Sequence, residues 1–478
     1  MDTAVVAMST APLATGEPVF RFYDNRQKYL LFVNTCSEKW VVAQRVAMEL
    51  GNIYPRPPAI RIFDAGVGDG TVLTRVMRAM HQRFPTLPSY IVGKEISLED
   101  VRLVLDKMPD RLFEHPATVL VMTNMYYSEA PWLVPNSMAA ATGLMWHEVA
   151  LTGTTAHEFE QQITDLQPFL SEHWRARISP RSGNPIYDRP VVLVVYRDDH
   201  KFLLDQVRPR RGAAIADYDL VIASQPYRAR APVEFKAKRI LAPLTRALAP
   251  GGRLIVIHSH GDDPGLEIIR KIWPGENPFR TDRHQLLRAT KIELGSVSRD
   301  YNLAAYPDAR SLFRYEMHTL PSEISDAIGT STLWAAWNAA VYVAQIDDGR
   351  LSAALADRAY LDATQAVLRE HGGLWFWDEA FVISRKRRLG ERRVRFQTPR
   401  RRLCNHRRDL PTVVERSRGS VGKGHAAWRT GRCGQHHGWG ERPRPYERTG
   451  GRCHSCSRRH RAGLPADLPR SQPHCFAE

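Results

Sequence analysis

Residues Ile60 to Thr71, IRIFDAGVGDGT, constrain the fold of this chain more than any other stretch. Ile60, Ile62 and Phe63 lead into Asp64 as the short apolar run that a buried parallel strand needs. Glycines follow at 66, 68 and 70, and VLTRVMRAMHQRF then sets Val72, Leu73, Val76, Met77, Met80 and Phe84 at roughly helical spacing. Strand, glycine turn and helix in that order predict a backbone that can approach a ligand closely. Glycine has no Cβ to obstruct the approach, and the unpaired N–H groups at the helix start point toward the same place. The competing reading is a tight turn between a core strand and a core helix, with no ligand.

Spacing narrows the ligand. A dinucleotide fingerprint wants glycine three residues after its second glycine, and Thr71 stands there. The pattern G-x-G-x-G, preceded by Asp64, resembles the first motif of class I S-adenosylmethionine-dependent methyltransferases. The resemblance implies that Asp64, Gly66, Gly68 and Gly70 cradle the amino acid end of S-adenosyl-L-methionine. It also implies a Rossmann-like α/β fold, a doubly wound, mostly parallel sheet of seven strands closed by an antiparallel last strand.

Later segments extend the resemblance. Tyr90 to Ile96 (YIVGKEI) reads as a second strand with Glu95 near its carboxyl end, where open α/β sheets bind ligands and a carboxylate can accept hydrogen bonds from ribose hydroxyls. Methyltransferases of this class usually carry an acid here; the alternative is a plain strand end with Ser97 as the N-cap of the next helix. A third strand, Ala117 to Thr123, runs into Asn124, Met125, Tyr126 and Tyr127, and Asn124 with Met125 match the adenine-flanking positions. PVVLVVYR (190–197) is another strong strand. DYDLVIASQPY (217–227) resembles the Asn/Asp-Pro-Pro-Tyr loop of amino-methylating members, which makes Gln225, Pro226 and Tyr227 candidate substrate contacts. Gln replaces the first residue and one proline is missing, so the acceptor atom stays open. Leu248, Pro250, Gly251 and Gly252 reproduce the Leu-x-Pro-Gly-Gly turn that the family places before its fifth strand, with proline ending the helix and glycine permitting the reversal. SLFRYEMHTL (311–320) and LWFWDEAFVISR (374–385) read as the last two strands.

Three regions lie outside that plan. Helical segments from Phe20 precede the first strand, and Tyr23 and Tyr29 there either close the site or pack as ordinary aromatics. Residues 128–189 read as an insertion holding Trp132, Trp146 and Trp174 and a helix from about Thr155 to Ile178, with the aromatics either lining the substrate entry or filling the core. A second insertion, about 330–372, is helical; its apolar run Leu333 to Ile346 is too short for a bilayer and reads as buried.

Charge and cysteine divide the chain. From Arg385 onward 23 Arg and 2 Lys face 7 acidic residues, a surplus of +18 against +16 for all 478 residues, so residues 1–384 stand at −2. The basic balance therefore belongs to the tail, and the folded part shows no preference for nucleic acid. Cys36 is alone in the front part, which suits a reducing, cytoplasmic setting, while five cysteines lie in the tail. The N-terminus lacks the basic start and apolar stretch of a secretory signal. Residues 1–19 read as a flexible leader and 20–384 as the methyltransferase domain. For 385–478 three readings stand: a zinc site around Cys433, His436, His437, Cys453 and Cys456, a basic interaction arm, or a translation out of frame, the last being the leading one.

The expected activity is methyl transfer from S-adenosyl-L-methionine to a small-molecule acceptor, with a protein acceptor as an open alternative. Holding nucleophile and methyl in line supplies most of the catalysis. Tyr227 and His258 are the candidate bases; His258 and His260 have no third ligand at metal spacing, so no metal is expected. An aminopropyltransferase, a nucleotide-dependent oxidoreductase and a non-catalytic binding module are the alternatives on the same sheet.

Overall fold

The computed structural model describes residues 26–180, 184–319, 328–356 and 358–387. The expectations for the leader, for Tyr23 and for the tail from 388 with its cysteines fall outside the described residues.

The strands are β1 (Ile60–Asp64), β2 (Ser89–Lys94), β3 (Thr118–Thr123), β4 (Met145–Leu151), β5 (Ala176–Ile178), β6 (Pro185–Tyr187), β7 (Val191–Arg197), β8 (Tyr218–Ser224), β9 (Leu248–Ser259), β10 (Tyr301–Asn302), β11 (Leu312–Glu316) and β12 (Trp375–Arg385). The main sheet runs β10-β12-β9-β8-β1-β2-β3-β7-β4, with β11 also paired to β12. Its centre is parallel, with Ile62 opposite Ile91 on one side and Leu220 on the other. In the order β3-β2-β1-β8-β9 the chain departs to one side of β1 and returns on the other, which opens a crevice at the carboxyl ends of β1 and β8.

Seven strands were expected in the sheet, and among the described residues the main sheet has ten. β7 lies antiparallel on β3, β4 lies parallel on β7, and the two-residue β10 pairs with the end of β12. The antiparallel closing strand is β12, set against β9 with Phe381 opposite Val256. The expected single helix over 155–178 is two, Ala156–Thr164 and Gln167–His173, followed by the small β5–β6 hairpin. Pro168 stands in the first turn of the second helix, where its missing N–H costs nothing.

The Pro-Gly-Gly segment also departs from expectation. Its helix has already ended at Arg246, and residues 248–252 belong to β9 as a bulge. Tyr218 faces Leu248 and Leu220 faces Arg253, so β9 advances five residues while β8 advances two. Glycine is required at 252 because a Cβ there would stand 2.4 Å from the Tyr218 carbonyl oxygen.

Alternation along the strands builds two cores on the two faces of the sheet. Ile62, Ile91, Leu120, Leu220 and Ile255 point to one, under the helices Glu38–Ala47, Thr71–Arg83 and Leu98–Asp106. Phe63, Val92, Val121, Val221 and Val256 point to the other, toward Ala242–Arg246 and Arg283–Leu294. Each such side chain removed from water contributes roughly 1.5–3 kcal/mol, which explains the near-continuous apolar runs. A third core joins the helix Arg26–Thr35 to Pro264–Ile272, Thr330–Val343 and Ala359–His371, so the second insertion packs on the N-terminal helix. Among the described residues no helix is long and apolar enough to cross a membrane.

Candidate functional site

At the end of β1 the chain turns on its glycines. Gly68 and Gly70 have φ of +56° and +81°, backbone that a side chain strongly disfavours. Val67 N–H donates to the Lys94 carbonyl (3.1 Å) and Gly68 N–H to Glu95 Oε2 (2.9 Å), which ties the turn to the end of β2. Glu95 Oε1 accepts from the N–H groups of Ile96 and Ser97 (2.8 and 2.9 Å). A carboxylate has about four acceptor positions, so one remains on Oε2. Ser97 also caps the helix Leu98–Asp106 by accepting from Asp100 N–H, so the capping reading holds beside whatever Glu95 does.

Asp64 lies on the same face, buried, and accepts from Gly66 N–H (3.2 Å). Burial, with the nearby Glu95 carboxylate adding to it, pushes its pKa up to about 7 against the pull of the Gly66 N–H and of Lys39. Among the described residues neither Asp64 nor Glu95 has a cationic side chain in ion-pair contact.

Asp69, which sequence reasoning passed over, is the polar hub of the turn. It accepts from Tyr29 Oη (3.1 Å), Lys107 Nζ (3.0 Å) and the Thr71 hydroxyl. Burial alone would raise its pKa, but Lys39, Thr71 and Lys107 outweigh it and hold the carboxyl below its ordinary value. Tyr29 thus joins the N-terminal helix to the glycine turn, and it also packs on Tyr342, so both readings of this aromatic hold. The only advance signal for Asp69 was its place between Gly68 and Gly70; Lys39 and Lys107 gave none.

Past β3 the geometry sorts the candidates. Asn124 is buried and donates to the Arg189 carbonyl (2.9 Å) while its Oδ1 accepts from Val191 N–H (2.8 Å), so its side chain fastens the start of β7. Met125 is buried in the second core. Tyr127, two residues on, reaches across instead: its hydroxyl donates to the Pro226 carbonyl (2.9 Å), and after burial the carboxylates of Glu95 and Asp64 are what raise its pKa. Trp174 is buried and its indole N–H donates to the Glu95 carbonyl (3.1 Å). Trp132 and Trp146 pack at the margin of the second core.

At the end of β8, Gln225 takes a left-handed backbone (φ +47°). Its amide nitrogen donates to Ser259 Oγ (3.1 Å) and Asp378 Oδ1 (3.3 Å), and its Oε1 accepts from Ser259 N–H (3.3 Å), so the turn is fastened to β9 and β12. Burial, with Glu38 and Asp263 nearby, raises the Asp378 pKa well above the usual range.

Tyr227 and His258 come together on the opposite face, their rings 5.8 Å apart. The Tyr227 hydroxyl is buried without a hydrogen-bond partner. His258 Nε2 lies 3.1 Å from Glu379 Oε2 but out of line for a hydrogen bond. Burial lowers the His258 pKa, while Glu379, itself buried, is held down to about 2 by His258 and Arg283. Lys236 Nζ stands 5.0 Å from the centre of the Tyr227 ring. A cavity of about 10 Å³, room for about one water, is lined by Gln225, Tyr227, Lys236, His258 and Ser259 and adjoins a second of about 310 Å³, bordered by His258, Phe279, Arg280, Thr281 and Glu379. Trp132, Trp146 and Trp174 line neither. Among the described residues the one close grouping of three metal-type ligands is Glu267, Glu370 and His371 at the surface, not His258 with His260.

No family model matches the chain, and no curated protein matches it by sequence. Among solved structures, loganic acid methyltransferase with SAH aligns at 11% identity over 80% of this chain and 100% of its own, with a TM-score of 0.30. Geranyl diphosphate methyltransferase in complex with GPP and sinefungin aligns at 12% over 72% and 76%, TM-score 0.26. A putative sarcosine dimethylglycine methyltransferase from Galdieria sulphuraria aligns at 10% over 73% and 85%, TM-score 0.27. Similarity of this size leaves the site to be read from the chain's own geometry.

Proposed function

We propose that residues 20–384 form an S-adenosyl-L-methionine-dependent methyltransferase that acts on a small molecule. One observation carries the reading: two carboxylates, Asp64 and Glu95, meet at the glycine turn with no cationic side chain of the described residues in ion-pair contact, and burial lifts Asp64 to about 7 against the more distant pull of Lys39. A positively charged ligand restores that balance, and the cofactor brings both a sulfonium and an ammonium. A dinucleotide pyrophosphate does not suit the site, because Asp69 already accepts from Thr71 N–H (3.4 Å) at the helix start where a phosphate would sit.

The residues fit the group in a graded way. Gly66 is open, with nothing within 4 Å of where a Cβ would project, so a ligand can come close to the backbone there. Glu95 offers one free acceptor position to a ribose hydroxyl, and a second hydroxyl requires Gly68 N–H to let go. Tyr127 spans from these carboxylates to Pro226, so the cofactor side and the acceptor loop are one hydrogen-bonded unit. When bound, the cofactor supplies an electrophilic methyl group on sulfur. The chain's part is to orient the acceptor in line with it, with Gln225 holding the β8 turn and Tyr227 and His258 available to hold or take a proton. The larger cavity, beside His258, is about 310 Å³ and lies in the range that small-molecule ligands occupy, while Gln225 and Tyr227 line the small one that adjoins it.

Calorimetry of the full chain with S-adenosylhomocysteine tests the cofactor, and methyl-labelled cofactor with fractionated cell extract tests the acceptor. Binding heat and label in the metabolite fraction are expected. No heat sinks the methyltransferase reading, and label in protein alone sinks the small-molecule part.

A further inference from the structure

We infer that the small cavity between the β8 turn and the end of β9 is the inner end of a carboxylate-binding subsite, in which the Lys236 ammonium and the Tyr227 hydroxyl hold the carboxylate of an acidic acceptor whose body lies in the larger cavity beside it. The inference deepens the proposed function by naming a substrate class, and it rests on that function only for what becomes of the acid.

Lys236 is 1% exposed, yet its Nζ has a single acceptor, the Ala229 carbonyl at 2.8 Å. An ammonium carries three donors, and among the described residues no carboxylate lies within ion-pair reach of it. Burying a charge in that state is costly, and burial lowers its pKa to about 8. Tyr227 Oη, also buried, has no partner, although buried tyrosine hydroxyls ordinarily find one. His258 Nε2, beside the same cavity, makes no aligned hydrogen bond either, its polar neighbour being Glu379 Oε2 at 3.1 Å.

These groups come from three separate elements, which is why a shared deficit is informative. Tyr227 follows β8, His258 belongs to β9, and Lys236 ends the short helix Val233–Lys236. Directly after Lys236 the helix widens into a π turn, Ala237–Leu241. Pro243 explains the widening, since it lacks the N–H that would bond to the Arg239 carbonyl in a regular helix. Such π turns recur where a side chain is being presented to a ligand.

The missing partner must accept hydrogen bonds and carry negative charge. Glu379 does not fill that role, because Arg283 engages both its oxygens, through its N–H (2.8 Å) and its guanidinium. One ammonium and one hydroxyl match the two oxygens and single charge of a carboxylate. A phosphate, with three oxygens and nearly twice the charge, would call for a guanidinium or helix-start amides, and among the described residues that line the small cavity with Lys236 there is neither, Arg280 and Asp282 bordering only the larger one. Phe279 lines both cavities and gives the acid's carbon skeleton an apolar wall.

The test uses the full chain and ligand-observed NMR with trans-cinnamate, its neutral amide cinnamamide, and phenyl phosphate. Cinnamate is expected to bind about tenfold or more tighter than cinnamamide, the loss that follows when a charge-assisted bond is removed. Lys236→Met should abolish that preference, Lys236→Arg should restore part of it, and Tyr227→Phe should weaken cinnamate by a few-fold. Thermal unfolding and S-adenosylhomocysteine binding, measured on each variant, separate loss of the subsite from loss of the fold or of the cofactor site. Equal binding of cinnamate and cinnamamide, unchanged preference in Lys236→Met, no binding of cinnamate in the millimolar range, or tighter binding of phenyl phosphate each overturns the inference.

Discussion

The two faces of the sheet at the carboxyl ends of its strands have opposite chemistry. On the face of Asp64, the groups around the glycine turn find partners within the chain, although Asp378 Oδ2 farther along that face does not: Glu95 accepts three backbone N–H groups, and Asp69 gathers Tyr29, Thr71 and Lys107. On the face of Tyr227, Lys236 is nearly unpartnered and the Tyr227 hydroxyl wholly so. The first is a site shaped by backbone, prepared before any ligand arrives. The second holds its donors ready and leaves their satisfaction to a ligand, and one clamp, Glu379 with Arg283, keeps it rigid. On the function proposed above, the first face would hold the cofactor and the second the acceptor.

Breaking the clamp is the severest way to test that comparison. Glu379 is 0% exposed and Arg283 5%, so Glu379→Ala leaves a buried guanidinium with only the exposed Asp308 carboxylate and the Tyr306 carbonyl, and should cost about 3 kcal/mol in denaturant unfolding. Lys107→Ala on the first face, where the lysine is about a third exposed and the buried Asp69 keeps Tyr29 and Thr71 as donors, should cost less, about 1–2 kcal/mol. The acid dependence should differ as well. With its pKa held down to about 2 in the folded protein, Glu379 contributes stability that is present above the ordinary carboxylate range and lost as pH falls toward 2. The Glu379→Ala variant should lack that acid-linked loss; similar costs for the two substitutions would mean the second face is not rigidly held.

Gly68→Ala attacks the prepared face next. At φ +56° a side chain is strained by about 1–3 kcal/mol, and the new Cβ would stand 3.1 Å from Tyr29 Oη. We expect S-adenosylhomocysteine affinity to fall by about tenfold or more in calorimetry, with cinnamate binding on the other face almost unchanged. A parallel loss of both would show that the faces are not separate.

A gentler probe is pH. Asp64 sits near 7 because burial and Glu95 favour its neutral form, and a sulfonium or ammonium nearby favours the ionised one. Cofactor affinity should therefore rise with pH, by at most about tenfold per unit, up to about pH 7 and level off above it. Asp64→Asn should flatten the curve, and a flat curve in the unaltered protein would remove Asp64 from the cofactor's surroundings.

The prepared face was also the legible one. Its strand, glycines and acidic second strand are local patterns, fixed within Ile60–Gly70 and Tyr90–Ile96, and each appears where the spacing placed it. Misreadings came where the outcome depends on distant partners. β4, MWHEVAL, is an edge strand half exposed on both faces, so it shows neither a continuous apolar run nor clean alternation. Asn124 looked like a ligand contact by position, but the start of β7, which arrives 67 residues later, claims its amide. Pro250-Gly251-Gly252 looked like a reversal because a turn and a bulge ask for the same residues; only the Tyr218 carbonyl at 2.4 Å from a notional Cβ distinguishes them. Lys236 gave no signal, since a lysine on an amphipathic helix is ordinarily solvated and its burial follows from a widened turn that sequence periodicity does not display.

The smallest expected effects discriminate most finely, and they involve two tyrosines, of which the sequence singled out only Tyr227. Tyr127 Oη donates to the Pro226 carbonyl, so Tyr127→Phe removes a made bond and leaves a carbonyl short of a partner; it should cost about 0.5–1.5 kcal/mol in unfolding. Tyr227 Oη makes no bond, so Tyr227→Phe removes only a buried hydroxyl and should leave stability within about 0.5 kcal/mol or raise it slightly. Function should run the other way. Tyr227→Phe should lower turnover or acceptor binding by a few-fold while S-adenosylhomocysteine binding holds, because that hydroxyl's partner arrives with the acceptor. If Tyr227→Phe instead destabilises as much as Tyr127→Phe, the hydroxyl already has a partner in the free protein, and the second face is no more open than the first.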